Sequence, residues 1–204
     1  MEIFETKNKR LRREKWVGII IHHTTVGDNP TESKWKQWAI NLTNYLANNK
    51  AYVSAHYTID REGIVRMIVN PITHEAWHAG VSSYYHPVKQ RLEDNWNRYA
   101  IGIELIGDGN KYSYTYAQYK SLAGQIKELM RMFPTIKAEC ILGHEHIAPN
   151  RKIDPGKLFD WSMLYSLIFS DESQKCLVRL ENKPQPLTLV RQNLDWFDLK
   201  KNDL

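Results

Sequence analysis

Cysteine is nearly absent from this sequence: Cys140 and Cys176 are the only two among 204 residues. Two thiols cannot build a disulfide framework, which suits a reducing compartment. Long apolar runs are missing as well. None approaches the ~20 residues that a bilayer span needs, so no membrane insertion is expected. Met1 to Lys15 is charged almost throughout and holds no apolar stretch of the kind a secretory signal carries; the expected location is the cytoplasm. Internal repeats and low-complexity tracts are lacking. So are the GxSxG nucleophile elbow, the HExxH helix and the phosphate-binding GxxxxGK(S/T) loop, and competing hydrolase and nucleotide classes thereby lose support.

What remains is the composition of an ordinary globular chain, with 42% hydrophobic and 25% charged residues. Its length suits one domain with a real core and leaves room for a short appendage. Lys and Arg outnumber Asp and Glu by 28 to 23, a formal charge of +5. That balance favours an anionic partner without selecting one. A nucleic-acid role would rest on the charge alone and is not expected.

Trp16 to Ile21 is apolar on both faces, as in a strand buried inside a sheet with helices over it. Thr31 to Asn49 has helical period, with Trp35, Trp38, Ala39, Leu42, Tyr45 and Leu46 on one stripe. Tyr52–Asp60 and Ile64–Val69, joined through Gly63, predict a hairpin. Residues 71–98 read as an irregular loop rich in Trp, Tyr, His and Asn, a composition that often carries binding groups. Tyr99–Ile106 is a second buried strand. Thr115 to Phe133 is the clearest helix, opened by a Thr115/Gln118 capping box and ended by Pro134. Ala138–Leu142 predicts a short strand and Phe159–Phe169 a last helix. Together these give an α/β domain with a central mixed sheet flanked by helices.

Three places carry unusual chemistry. His22 ends the most hydrophobic strand and His23 follows it; neighbours on a strand face opposite ways, so at most one enters a given site. A hydrogen-bonded core histidine is the bland reading. Glu104 interrupts the apolar run of Ile101 to Ile106, where an unpartnered carboxylate is costly. It needs a cation, strong donors or a metal-bound water, unless it makes a structural salt bridge or sits on a wet edge. Residues 143–156 gather His144, Lys152 and Asp154 into a loop bounded by Pro and Gly. Such a loop can fold His and Asp onto one ion, as zinc sites use His nitrogen and carboxylate oxygen. The alternative is a Pro-Gly turn with a solvated Arg-Lys pair.

The blocks IIIHHT at 19–24, SAHYTIDREG at 54–63, AWHAG at 76–80, IGIELIG at 101–107 and GHEHIAPNRKIDPG at 143–156 resemble one family closely. It is the zinc-dependent N-acetylmuramoyl-L-alanine amidases of the peptidoglycan-recognition-protein (type 2 amidase) fold. The resemblance spans about residues 16 to 161. It implies Zn²⁺ held by His22, His144 and Asp154, with Glu104 as general base and Lys152 steadying the developing oxyanion. His78 and Trp77 of AWHAG would line the substrate groove. Asp as third ligand and Glu in IGIEL resemble the branch of cytosolic muropeptide-recycling amidases and many phage endolysins. In the other branch a Tyr stands where this chain has Ala55, so a catalytic Tyr is not expected there.

The implied reaction is hydrolysis of the lactyl–L-Ala amide of peptidoglycan, with a peptidoglycan or muropeptide substrate as the partner and a monomer expected. The expected organisation is a basic arm (1–15), a zinc amidase domain (16–170) and a C-terminal extension (171–204) of unread role. The expected setting is a phage-type endolysin, favoured by the basic arm and the extension. The alternatives are a cytosolic amidase of soluble 1,6-anhydro-muropeptides and a non-catalytic peptidoglycan-binding module.

Overall fold

A computed structural model describes residues 2–24 and 26–169; the expected C-terminal extension lies outside the described residues. The chain opens with strands β1 (Glu2–Ile3), β2 (Lys9–Leu11) and β3 (Gly18–Thr24), followed by helix α1 (Glu32–Ala47). Strands β4 (Tyr57–Ile59), β5 (Val65–Met67), β6 (His74–Ala76), β7 (Ser83–His86), β8 (Arg91–Asp94) and β9 (Ala100–Ile106) come next. Helix α2 (Tyr116–Met132), strand β10 (Ile141–Gly143), the short helix α3 (His144–Ile147) and helix α4 (Trp161–Phe169) follow within the described residues.

Six strands form the central sheet in the order β1-β5-β4-β9-β3-β10. Only the β4–β5 pair is antiparallel, so the sheet is mixed, as the sequence predicts. β3 and β9 lie in the interior, and alternation splits their side chains between two layers. Ile19, Ile21, Ile101, Ile103 and Leu105 face one way and pack with Leu122, Ile126 and Leu129 of α2 and Leu164 and Ile168 of α4. Fully burying each such side chain contributes roughly 1.5–3 kcal/mol. Ile20 and Ala100 face the other way, into a cluster with Ala79, Tyr84, Trp96 and Leu142. Trp96, fully buried, gives its indole N–H to Glu93 O at 3.0 Å and so satisfies its polar end.

α2 starts on the capping box that its sequence spells. Thr115 Oγ1 accepts from Gln118 N at 3.1 Å, and Gln118 Oε1 accepts from Thr115 N at 3.1 Å. The β4–β5 hairpin also forms, in a shorter span than predicted, with Asp60 Oδ1 accepting from Glu62 N and Ile64 N across its turn.

Four local expectations change. The N-terminal arm is not free: β1 adds to the sheet edge beside β5, and β2 pairs with β6. Edge pairing uses backbone groups, so the alternating charges stay on the outside while Arg10 meets the buried Glu75 carboxylate. Residues 71–98 are not wholly irregular, because β7 and β8 form a hairpin whose turn ends on Gln90 at positive φ. The strand predicted from Ala138 begins only at Ile141, since 138–140 wind into a 3-10 turn. On α1 only Ala39, Thr43 and Leu46 are buried; Tyr45 is 53% exposed. Trp35 is instead covered from outside by Arg61, whose guanidinium lies 4.3 Å from the ring centre.

Candidate metal centre

The carboxyl ends of three adjacent parallel strands converge at one end of the sheet, where open α/β sheets place ligands. β3 carries His22 there. Glu104 of β9 is its direct cross-strand partner, so both side chains leave the same face. β10 ends at Gly143, and the next residue, His144, begins α3. Asp154 arrives from the loop that follows. Its backbone carbonyl accepts from Glu145 N at 3.0 Å, and the next carbonyl, Pro155 O, accepts from Tyr114 Oη at 2.7 Å.

Gly109 permits that loop to sit so close. A Cβ at Gly109 would lie 1.9 Å from Pro155 O, so no larger residue fits beneath it. Gly109 N–H donates to His23 Nδ1 at 3.1 Å. His23 thus braces the loop that carries Asp154, whereas His22 joins the donor atoms; both rings border the groove.

Three donor atoms meet in a tight triangle. His22 Nδ1 lies 3.0 Å from His144 Nδ1 and 2.9 Å from Asp154 Oδ2, and His144 Nδ1 lies 3.0 Å from the same oxygen. All three residues are buried. His144 Nε2–H donates to Ala79 O at 3.0 Å, which leaves its Nδ1 as an acceptor. On the other ring, His22 Nε2 lies 2.9 Å from His78 Nδ1, and His78 Nε2 lies 3.0 Å from Ala100 O.

Electrostatics match this arrangement. Burial, followed by the neighbouring His144, lowers the His22 pKa to about 4, so the ring is neutral at pH 7. Burial pushes the Asp154 carboxyl upward, but the adjoining His144 and His22 rings outweigh it and hold the group well below the usual carboxylate range. Two imidazole lone pairs and a carboxylate facing one point repel unless a cation lies between them. Ligands about 2 Å from one tetrahedral ion stand ~3.3 Å apart, within a few tenths of an ångström of this triangle. His22, His144 and Asp154 are therefore able to hold a metal ion, and two nitrogens with one carboxylate oxygen suit zinc.

The triangle forms part of the floor of a groove of about 500 Å³ that Glu104, Lys152 and Trp77 also line. Glu104 is half-buried, and its Oε2 has no partner among the described residues. Burial and then the nearby Asp154 push its pKa well above the ordinary carboxylate value, against a smaller pull from Lys152.

His22, Glu104, His144, Lys152, Asp154, Trp77 and His78 all line this one groove. His78 lies along the groove, and both its ring nitrogens are also engaged inside the protein, one of them with His22. Two residues escaped the sequence reading. Arg151, though exposed, is tied down: its Nη2 donates to Ala79 O at 2.8 Å and also to Val81 O, which clamps the AWHAG segment against the loop. Asn97 Oδ1 accepts from His78 N at 2.9 Å and Ala79 N at 2.6 Å, holding that segment from the other side. Their signal was only nearness to the motifs, too little to assign a partner.

Fold and donor set together define a class: an α/β protein whose parallel strands present a metal-ready His-His-Asp triangle in an open groove. A family model described as N-acetylmuramoyl-L-alanine amidase matches residues 12–157, and the chain belongs to that family. Among its relatives, the 1,6-anhydro-N-acetylmuramyl-L-alanine amidase AmpD of Haemophilus influenzae is 42% identical over 116 residues, covering 57% of this chain and 59% of that protein. The matched segment is thus less than two thirds of the curated relative's length. A solved structure of an AmpD derivative superposes with a TM-score of 0.66 at 31% identity, over 82% of this chain and 94% of that one. A mutant endolysin from Bacillus subtilis shares the fold at a TM-score of 0.56 and 22% identity, over 82% of this chain and 99% of that one.

Proposed function

We propose that the chain is a zinc-dependent N-acetylmuramoyl-L-alanine amidase acting on soluble 1,6-anhydro-muropeptides. The observation that carries the chemistry is the His22–His144–Asp154 triangle beside an unpartnered Glu104 carboxylate. The substrate follows from the 42% identity to a protein named for the 1,6-anhydro sugar. The endolysin setting favoured from the sequence has fold likeness behind it but no such identity. The order of the two settings is therefore reversed.

When bound, zinc supplies a Lewis acid that polarises the scissile carbonyl and acidifies water. His22, His144 and Asp154 would hold it. Glu104, with its raised pKa, takes the proton of the attacking water and delivers it to the leaving L-Ala nitrogen. Lys152 places a fixed positive charge on the groove wall, where negative charge builds on the carbonyl oxygen. Trp77 offers an aromatic wall to the rest of the substrate.

The test is to incubate the pure chain separately with soluble 1,6-anhydro-muropeptides and with intact sacculi, and to identify the fragments by mass spectrometry. The expected products are an anhydro-sugar with a free lactyl carboxylate and a stem peptide beginning at L-Ala, from the soluble substrate. Cleavage of sacculi alone would restore the endolysin setting. Binding without any cleavage would make the chain a recognition module.

A further inference from the structure

We infer that His78 is a positioning residue: it fixes the tautomer of His22, so that Nδ1 of His22 turns a lone pair toward the metal. The inference rests on the zinc reading above and adds a residue that does not touch the ion. Its logic starts from a backbone atom. Ala100 O can only accept a hydrogen bond, and it lies 3.0 Å from His78 Nε2, so that nitrogen carries the proton. In a neutral imidazole the other nitrogen is then an acceptor. His78 Nδ1 lies 2.9 Å from His22 Nε2, which must therefore be the donor. The proton on His22 is held at Nε2, and Nδ1 is left free at the triangle. Each assignment forces the next, from a carbonyl of β9 to the donor atom on β3.

The surroundings hold the His78 ring in that place. Its backbone N–H is tied to Asn97 Oδ1 at 2.9 Å. The ring packs edge-on against His22 with centroids 5.1 Å apart. It also lies directly over Gly102, where a Cβ would come within 2.4 Å of His78 Cγ. The glycine of IGIEL thus makes room for the histidine of AWHAG, and two motifs far apart in sequence become one device. His56, the next imidazole, does not compete for the contact, because its Nδ1 accepts from Gly102 N at 3.0 Å. Carboxylates or carbonyls usually accept the second N–H of a metal-binding histidine. A neutral ring does so here without adding negative charge to a site that already contains Asp154.

The experiment compares zinc affinity, by competition with a chelator, in the wild-type chain, His78→Leu and His78→Asn. Asn can place its side-chain oxygen where Nδ1 stood. His78→Leu should bind zinc about 10- to 100-fold more weakly, the usual effect of losing such a partner, while His78→Asn stays within about threefold of wild type. Melting of the metal-free proteins separates this from a general loss of fold. Nitrogen NMR of the metal-free wild type needs no substitution, and should find His22 and His78 both protonated at Nε2. Equal affinities in all three proteins overturn the inference, as does a fall in His78→Asn as large as in His78→Leu, or a proton on Nδ1 of His22. Failure of the wild type itself to take up zinc overturns instead the reading of the site on which the inference rests.

Discussion

His22 and His23 are neighbours on one strand, yet they serve opposite faces of the sheet. His22 opens onto the groove and meets His144 and Asp154. His23 leaves the other face of the strand and takes the N–H of Gly109, beside the loop that carries Asp154. The period of two along β3 decides this, with the register that sets His22 opposite Glu104. Residue type says little about role here; the face does. The His22 face gathers the donor triangle with Glu104, and His23 on the other face steadies the loop that brings Asp154.

The sharpest way to break this comparison is to remove each histidine in turn. His22→Ala should reduce zinc content to background and abolish turnover. His23→Ala should keep close to one zinc per chain, with a lowered melting temperature. Elemental analysis and thermal melts check both, and equal zinc loss in the two variants would dissolve the distinction between the faces. A smaller effect is expected at Glu104, which shares the groove face without belonging to the donor triangle. Glu104→Gln should keep its zinc while kcat falls by roughly 100-fold or more, the range of general acid–base groups. Normal turnover would make the carboxylate structural.

Lys152 and Arg151 repeat the contrast within one loop. Both line the groove, but Arg151 is also tied by hydrogen bonds to Ala79 and Val81. Lys152→Ala should lower kcat and kcat/KM together, by about 100- to 1,000-fold if it acts on the oxyanion. Arg151→Ala should chiefly lower stability. A rise in KM alone for Lys152→Ala would make that residue a binding charge.

The smallest expected effect is on pH dependence. In the metal-free fold the His22 pKa is lowered to about 4, by burial first and then by His144. An unfolded chain takes up that proton near 6.5, so the stability of the metal-free protein should fall as pH drops from about 6.5 toward 4. His22→Asn removes this contribution and should flatten the decline in melting temperature between pH 6.5 and 5. Parallel profiles for the two proteins would mean that His22 is not held neutral by the fold.

Much of this was legible in the sequence. The two buried strands, α2 with its capping box, and the gathering of His22, Glu104, His144, Lys152 and Asp154 all follow from local pattern and motif. Alternation along a strand implied that at most one of His22 and His23 enters the donor triangle, though not which. That choice depends on register against β9 and on the layer chosen by Ile19 and Ile21, which are tertiary facts. The β7–β8 hairpin was missed because its strands are short and its turn, 87–90, contains no glycine. The edge strands β1 and β2 were missed because their charged side chains conceal backbone pairing. The roles of His78 and Arg151 rest on contacts across 56 and 72 residues of sequence, which no local pattern records.

Zinc-edge anomalous scattering from crystals of the zinc-loaded chain tests the central claim most directly. The account predicts one peak about 2 Å from His22 Nδ1, His144 Nδ1 and Asp154 Oδ2, on the Glu104 face of β3. A peak beside His23, or none at all from active protein, would contradict it.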